Sequence, residues 1–233
     1  TYDAVNRVVS FTVNLPDGGI QSYAFTVQAN PGSYFAPHTL LVEQVTTSTI
    51  PASWTASSST GSAWIVSNVQ STSSPNSFFS PNAAVASDQK LETTNAIAMG
   101  TGTSSISFSH RFITQSGFDG GVVEISTDNG TTWNDLGQKI VAGYYTGTLA
   151  TGSANPIAGR SAWTGSVNSF IRSSVNLTSY AGQNAKFRFR FGSNSSTALT
   201  GWYVDDIEIK REAVVNMRSS LFNSSGTRVG YYD

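Results

Sequence analysis

Val9, Phe11, Val13 and Leu15 fall on one face of "VVSFTVNL" (8–15), while Ser10, Thr12 and Asn14 fall on the other. A period of two is the mark of a half-buried strand. The turn signal Asp17-Gly18 follows, and Tyr23, Phe25 and Val27 resume the alternation. Residues 8–27 therefore predict a β-hairpin. The same period returns in "ISFSHRF" (106–112), "GVVEIS" (121–126), "KFRFRF" (186–191) and "GWYVDDIEIK" (201–210). In "KFRFRF" it sends Phe187, Phe189 and Phe191 inward and Lys186, Arg188 and Arg190 outward. No stretch carries an amphipathic helical period, and no repeat recurs at propeller or solenoid spacing. The pattern predicts an all-β chain.

The segments between strands suggest boundaries. Residues 30–49 contain Pro31, Gly32, Pro37 and the run "TTST", and the later part of the stretch reads as a linker or domain edge. A Gly/Ala/Asn-rich excursion at 137–170 is too long for a plain hairpin loop. The end of the chain holds a strand candidate, "VVNMRSSLF" (214–222), and a turn signal at Ser225-Gly226. The expected organisation is an N-terminal β segment at 1–45, belonging to a preceding small β module, a main domain at 46–211, and a C-terminal tail at 212–233. The chain opens inside a strand-like pattern, which reads as a piece of a longer polypeptide.

Composition narrows the functions. Net charge is -1 and only 12% of the 233 residues are charged, which excludes the basic footprint of a nucleic-acid binder. No apolar run reaches the roughly 20 residues of a membrane-spanning helix. The absence of cysteine excludes thiol chemistry and thiolate zinc sites. It fits a cytosolic or a bacterial exported chain, and the few charges, many hydroxyls and few lysines lean toward export.

Enzyme motifs are missing. His38 and His110 do not form an H-E-x-x-H site, no G-x-S-x-G elbow is present, and "GTG" at 100–102 precedes a strand rather than a helix. His110 alternates with core positions and reads as a buried, hydrogen-bonded histidine. Asp119, Glu124, Asp205 and Asp206 are the carboxylates available for glycoside hydrolysis, with separations that sequence does not set.

"STDNGTTW" (126–133) has the Ser-x-Asp-x-Gly-x-Thr-Trp spacing of the Asp-box, a hairpin signature of sialidase-type propellers. One such box does not make a propeller. Its mechanical reading is a turn in which Asp128 accepts backbone hydrogen bonds, Asn129-Gly130 takes positive φ, and Trp133 packs the turn down.

Asp205-Asp206 interrupt a strand that otherwise reads as core. Period two points one of them toward Tyr203, Ile207 and Ile209, and an inward carboxylate must be paired, hydrogen-bonded or bound to a cation. Calcium suits such a site, with Asp88 in "ASDQKL" as a further ligand beside a carbonyl-rich loop. The alternative is that the pair caps the strand end through ordinary hydrogen bonds. Among the aromatics, Trp54, Trp64 and Trp202 compete between sugar stacking and core filling. Tyr144, Tyr145 and Trp163, in the excursion, are the expected exposed ligand-binding set.

Taken in order, "IPASWT" (50–55), "AWIV" (63–66), "SDQKLETTNAIAM" (87–99), "ISFSHRF", "FDGGVVEISTDNGTTWNDLG" (118–137), "NPIAGRSAWTG" (155–165), "VNLTSYAGQNAKFRFRFGSNSS" (175–196) and "GWYVDDIEI" (201–209) resemble a known bacterial module. It is the MAM-like jelly-roll domain that follows the catalytic domain of secreted metallopeptidases of the immune inhibitor A type and recurs in large surface proteins. Thr94-Asn95 depart from the Ser-Pro of that family. The resemblance implies a two-sheet antiparallel jelly-roll sandwich with a structural calcium at Asp205 or Asp206 and the Asp88 segment beside it. It further implies a non-catalytic accessory domain of a secreted or cell-surface bacterial protein. Such a domain mediates adhesion or targeting, through a polysaccharide or protein ligand, for a larger parent that carries a preceding domain. The alternatives are a carbohydrate-binding module, and a glycoside hydrolase or lyase on a jelly-roll scaffold.

Overall fold

Short alternating segments rich in Val, Ile, Phe and Thr, punctuated by Gly and Asn, form strands throughout. The computed structural model describes residues 2–3, 8–14, 20–26, 38–211, 219–222 and 228–232, with side chains for 38–211. The Asp17-Gly18 and Ser225-Gly226 turns lie outside the described residues. In chain order the first strands are β1 (Tyr2–Asp3), β2 (Val8–Asn14) and β3 (Ile20–Thr26). There follow β4 (His38–Glu43), β5 (Trp54–Ser58), β6 (Ile65–Ser67), β7 (Ser77–Asn82), β8 (Ser87–Thr93) and β9 (Ile97–Ala98). The middle of the chain forms β10 (Ser104–Ile113), β11 (Gly120–Ser126), β12 (Asn134–Asp135), β13 (Ile140–Ala142), β14 (Gly147–Thr148) and β15 (Ser161–Ala162). Last come β16 (Ser166–Asn176), β17 (Asn184–Ser193), β18 (Leu199–Arg211), β19 (Ser219–Phe222) and β20 (Arg228–Tyr232). Two single 3-10 turns, Gly137–Lys139 and Thr178–Tyr180, are the helical elements among the described residues. No helix among them is long and apolar enough to cross a membrane.

The chain divides into two compact units, Thr1–Pro37 with Ala213–Asp233, and His38–Glu212. In the first, β2 pairs antiparallel with β3, and β19 with β20. The second begins eight residues before the expected boundary at 46, because β4 pairs with β18 and sets His38 opposite Arg211.

The larger unit is a two-sheet antiparallel jelly-roll sandwich. One sheet runs β13-β16-β10-β18-β7-β6, with β4 also on β18; the other runs β12-β11-β17-β8-β5, with β9 also on β17. The alternation in "KFRFRF" explains how they pack. Phe187, Phe189 and Phe191 are fully buried between the sheets, and Phe189 meets Phe108 of the facing sheet edge-on at 4.8 Å. Trp54, Trp64, Trp163 and Trp202 join the same core. Rings of this size dominate sandwich energetics, and truncating one to Ala costs about 3–5 kcal/mol. The outward residues of β17 make ions rather than core: Arg188 pairs with Glu124 and Glu92 and lies over the Trp133 ring at 4.2 Å.

β18 departs from strict alternation. Its register against β10 shifts between Ser107 and Ser109, and Asp206 takes φ 48. This bulge places Ile207 and Ile209 in the core with Trp202 and Val204, while Tyr203 faces the other way and stacks on Phe79. The expectation that Tyr203, Ile207 and Ile209 share a face with one aspartate is therefore corrected, because one extra residue inverts the phase of everything after it. At the same point β18 exchanges neighbours, from β7 through Val204 to β4 from Ile207.

Candidate functional site

The excursion expected at 137–170 ends at 165, where β16 begins, and it is positioned from the core outward. The indole N–H of Trp202 donates to His110 Nδ1 at 3.2 Å, which leaves the ring proton on Nε2 to donate to Ser173 Oγ at 2.8 Å. Ser173 in turn donates to the Gly143 carbonyl at 2.7 Å, and Trp163 Nε1 donates to the same carbonyl at 2.9 Å. His110 is thus the buried, hydrogen-bonded residue its strand position suggests, and burial holds its pKa down at about 3. Gly143 needs its φ of 67 and its missing side chain here, since a Cβ would lie 2.3 Å from Ser173 Oγ.

Pinning Gly143 orients the two tyrosines that follow. Tyr145 stands edge-on to Trp163, 4.6 Å between ring centres, and its hydroxyl donates to Asp135 Oδ1 at 2.9 Å while accepting from the Val123 N–H. Burial, then the Asp135 charge, pushes the Tyr145 hydroxyl well above the usual tyrosine range. Arg160 completes the set, bridging Glu124 Oε1 and Asp135 Oδ2 at 2.6 Å each. Tyr144 turns to solvent at 62% exposure, its hydroxyl donating to the Val141 carbonyl. Between these side chains lies an open groove of about 470 Å³, lined by Asp135, Gln138, Tyr144, Tyr145, Arg160 and Ser161 among others.

Of the expected ligand-binding aromatics, Tyr144 and Tyr145 line this groove and Trp163 does not. Trp163 has no exposed surface and serves as the wall behind Tyr145, so the expectation that it faces ligand is corrected. It sits in loop-like sequence but bridges to Gly121 and joins the core from there. Asp135 and Arg160 were missed by sequence reasoning. They lie far apart in sequence, and no local pattern joins them.

The acids expected to share a calcium ion lie on different sheets. Asp88, on β8, accepts from Arg190 at 2.7 and 3.0 Å and pairs with Lys90 at 3.2 Å. Burial alone would raise its pKa, but these two cations outweigh it and hold the carboxyl below its usual value. Asp205, on β18, accepts the backbone N–H groups of Thr72 at 2.7 Å, Ser73 at 2.9 Å and Asp206 at 2.8 Å. Its carboxylate braces the 70–76 loop where β18 changes neighbours, which is the capping alternative. Asp206 lines a shallow hollow with Arg172 and Glu208. Among the described residues no group of three or more His, Cys, Asp or Glu is placed to hold a metal ion.

The turn at 126–133 is self-contained. Asp128 accepts from the Thr132 N–H at 2.9 Å and the Thr132 hydroxyl at 2.6 Å; Asn129 and Gly130 have φ of 59 and 94. The Thr132 hydroxyl, then its N–H, hold the Asp128 pKa at about 2.

No family model matches the chain, and no curated protein does. Solved structures similar to it include the carbohydrate-binding module TmCBM61 in complex with β-1,4-galactotriose (12% identity, TM-score 0.48, 75% of this chain and 99% of that one). The CBM22-1 xylan-binding domain of Paenibacillus barcinonensis Xyn10C aligns at 10% identity and TM-score 0.47, covering 78% of this chain and 100% of the domain. The K3 cleaved adhesin domain of Lys-gingipain from Porphyromonas gingivalis aligns at 19% identity and TM-score 0.48, covering 75% and 99%. These are similarities between domains, and they identify no ligand for this chain.

Proposed function

We propose that the larger unit is a non-catalytic carbohydrate-binding domain of an exported or surface protein, and that its ligand lies against Tyr144 in the groove beside Asp135 and Arg160. The observation that carries this reading is the pairing of one solvent-facing aromatic ring with a polar set that is already locked. A sugar offers an apolar face of C–H bonds and a rim of vicinal hydroxyls. An exposed ring matches the first, and planar polar groups such as Asp135, Arg160 and Gln138 match the second. Because Tyr145, Glu124 and the core hold Asp135 and Arg160 beforehand, little ordering is left to oppose binding.

Glycoside hydrolysis fits the same groove poorly. It needs two carboxylates facing one another across the scissile bond, one of them held protonated. Asp135 is the carboxylate among the groove-lining residues, and Arg160 neutralises it. Glu124 is buried between Arg160 and Arg188. Asp119 and Asp205 have no exposed surface.

The test is a glycan array with the full chain, followed by calorimetric titration of hits into wild type and Tyr144→Ala. The expected result is binding to at least one oligosaccharide, weakened about tenfold or more by Tyr144→Ala at an unchanged melting temperature. An array without hits, or affinity indifferent to the substitution, overturns the reading.

A further inference from the structure

Asp119 immediately precedes β11, at the end of the sandwich where β7 and β17 terminate. It has no exposed surface. Its Oδ1 accepts the Asn194 N–H at 2.7 Å, and its Oδ2 accepts from Asn82 Nδ2 at 3.0 Å. No lysine, arginine or histidine side chain among the described residues pairs with it. The other buried acids fare better: Asp88 and Glu124 have arginines, and Asp205 has three backbone N–H groups. An ionised carboxylate removed from water at this cost is normally compensated by a cation or a full set of donors.

The neighbouring Asn82 carries the complementary deficit. It is only 3% exposed, and its Oδ1 has no hydrogen-bond partner. That oxygen is on the same amide whose nitrogen touches Asp119, so the unsatisfied acceptor and the uncompensated carboxylate are separated by one amide group. A buried acceptor left unpaired costs about 1–3 kcal/mol. A water or an N–H donor would answer the Asn82 oxygen and leave the charge. A hard cation answers both, because its preferred ligands are carboxylate and amide oxygens. Gln115, Asn194 and Ser196 close the polar shell, bonded to one another through Gln115 Oε1.

We infer that Asp119 and Asn82 anchor a hard-cation site, with calcium as its ion, at this end of the sandwich. The site is built from residues other than Asp88, Asp205 and Asp206 and does not depend on the groove at Tyr144. The two protein oxygens supply the fixed part of the coordination.

The experiment uses the full chain. Wild type, Asp119→Asn and Asn82→Ala are melted at neutral pH in EDTA and in millimolar calcium chloride. A ligand that binds only the folded state raises the melting temperature by mass action. The expected result is a rise of several degrees for wild type, none for Asp119→Asn and a reduced rise for Asn82→Ala. Wild type indifferent to calcium overturns the inference, as does a full calcium response in Asp119→Asn. Should Asp119→Asn not fold, calorimetric titration of calcium into wild type and Asn82→Ala decides the matter. Heat of binding that Asn82→Ala abolishes or weakens supports the site; no heat, or equal heat in both, overturns it. Glycan binding is read separately, so failure here leaves the carbohydrate reading standing, and the reverse.

Discussion

Asp205 and Asp119 are both without exposed surface, both lack a cationic side chain, and burial raises the pKa of both. They differ in what the backbone offers them. Asp205 meets three N–H groups and the Ser73 hydroxyl, because a loop folds over the point where β18 changes neighbours. Asp119 meets one N–H group and one side-chain amide, next to an oxygen that has no donor. The strand position of an inward acid therefore does not decide whether it needs an ion; the number of donors aimed at it does.

The largest expected effect comes from removing the saturated acid. Asp205→Ala strands the Thr72, Ser73 and Asp206 donors, and should cost about 3 kcal/mol in a urea unfolding experiment. A cost under about 1 kcal/mol would mean that the carboxylate does not brace the loop. Asp119→Asn should go the other way in EDTA, melting no lower than wild type, because it removes a charge that nothing balances. The pH dependence has a definite sign. A carboxyl whose folded pKa is raised binds its proton more readily in the native state, so stability is lost as pH rises through the folded pKa and regained on acidification. The advantage of Asp119→Asn over wild type should shrink as pH falls toward the ordinary value of 3.8, and a gap that widens instead would break the comparison.

The smallest effect belongs to a third, fully exposed acid. Asp128 has its pKa depressed to about 2, so its contribution is present above the ordinary 3.8 and fades as pH drops through the folded value. Asp128→Ala should leave the melting temperature nearly unchanged while accelerating hydrogen exchange at the Thr132 amide, which it holds at 2.9 Å. An unchanged exchange rate would show that the turn is held by its backbone alone.

Regular alternation made most of the sandwich readable. Phe187, Phe189 and Phe191 face inward, as their spacing requires, and Phe108, His110 and Phe112 do the same across the core. The bulge at Asp206 was not readable, because a positive φ at an aspartate leaves no mark in the sequence and one added residue inverts every later position. Tyr144 and Tyr145 were found by composition, since aromatics in a Gly-rich excursion are conspicuous. Trp163 misled for the same reason: only its hydrogen bond to Gly143 and its contact with Tyr145 reveal it as core. The pairings of Asp135 with Arg160 and of Asn82 with Asp119 join distant segments, and periodicity does not encode such encounters.

His38 and Arg211 face each other across β4 and β18, so the chain enters and leaves the larger unit on adjoining antiparallel strands. A module with its two ends side by side can be spliced into a surface turn of a host at little more entropic cost than a short loop. The segments flanking it, 1–37 and 213–233, themselves form one compact unit. Residues 38–212 are therefore the natural limits for expressing the sandwich by itself, its two ends already held together by β4 on β18.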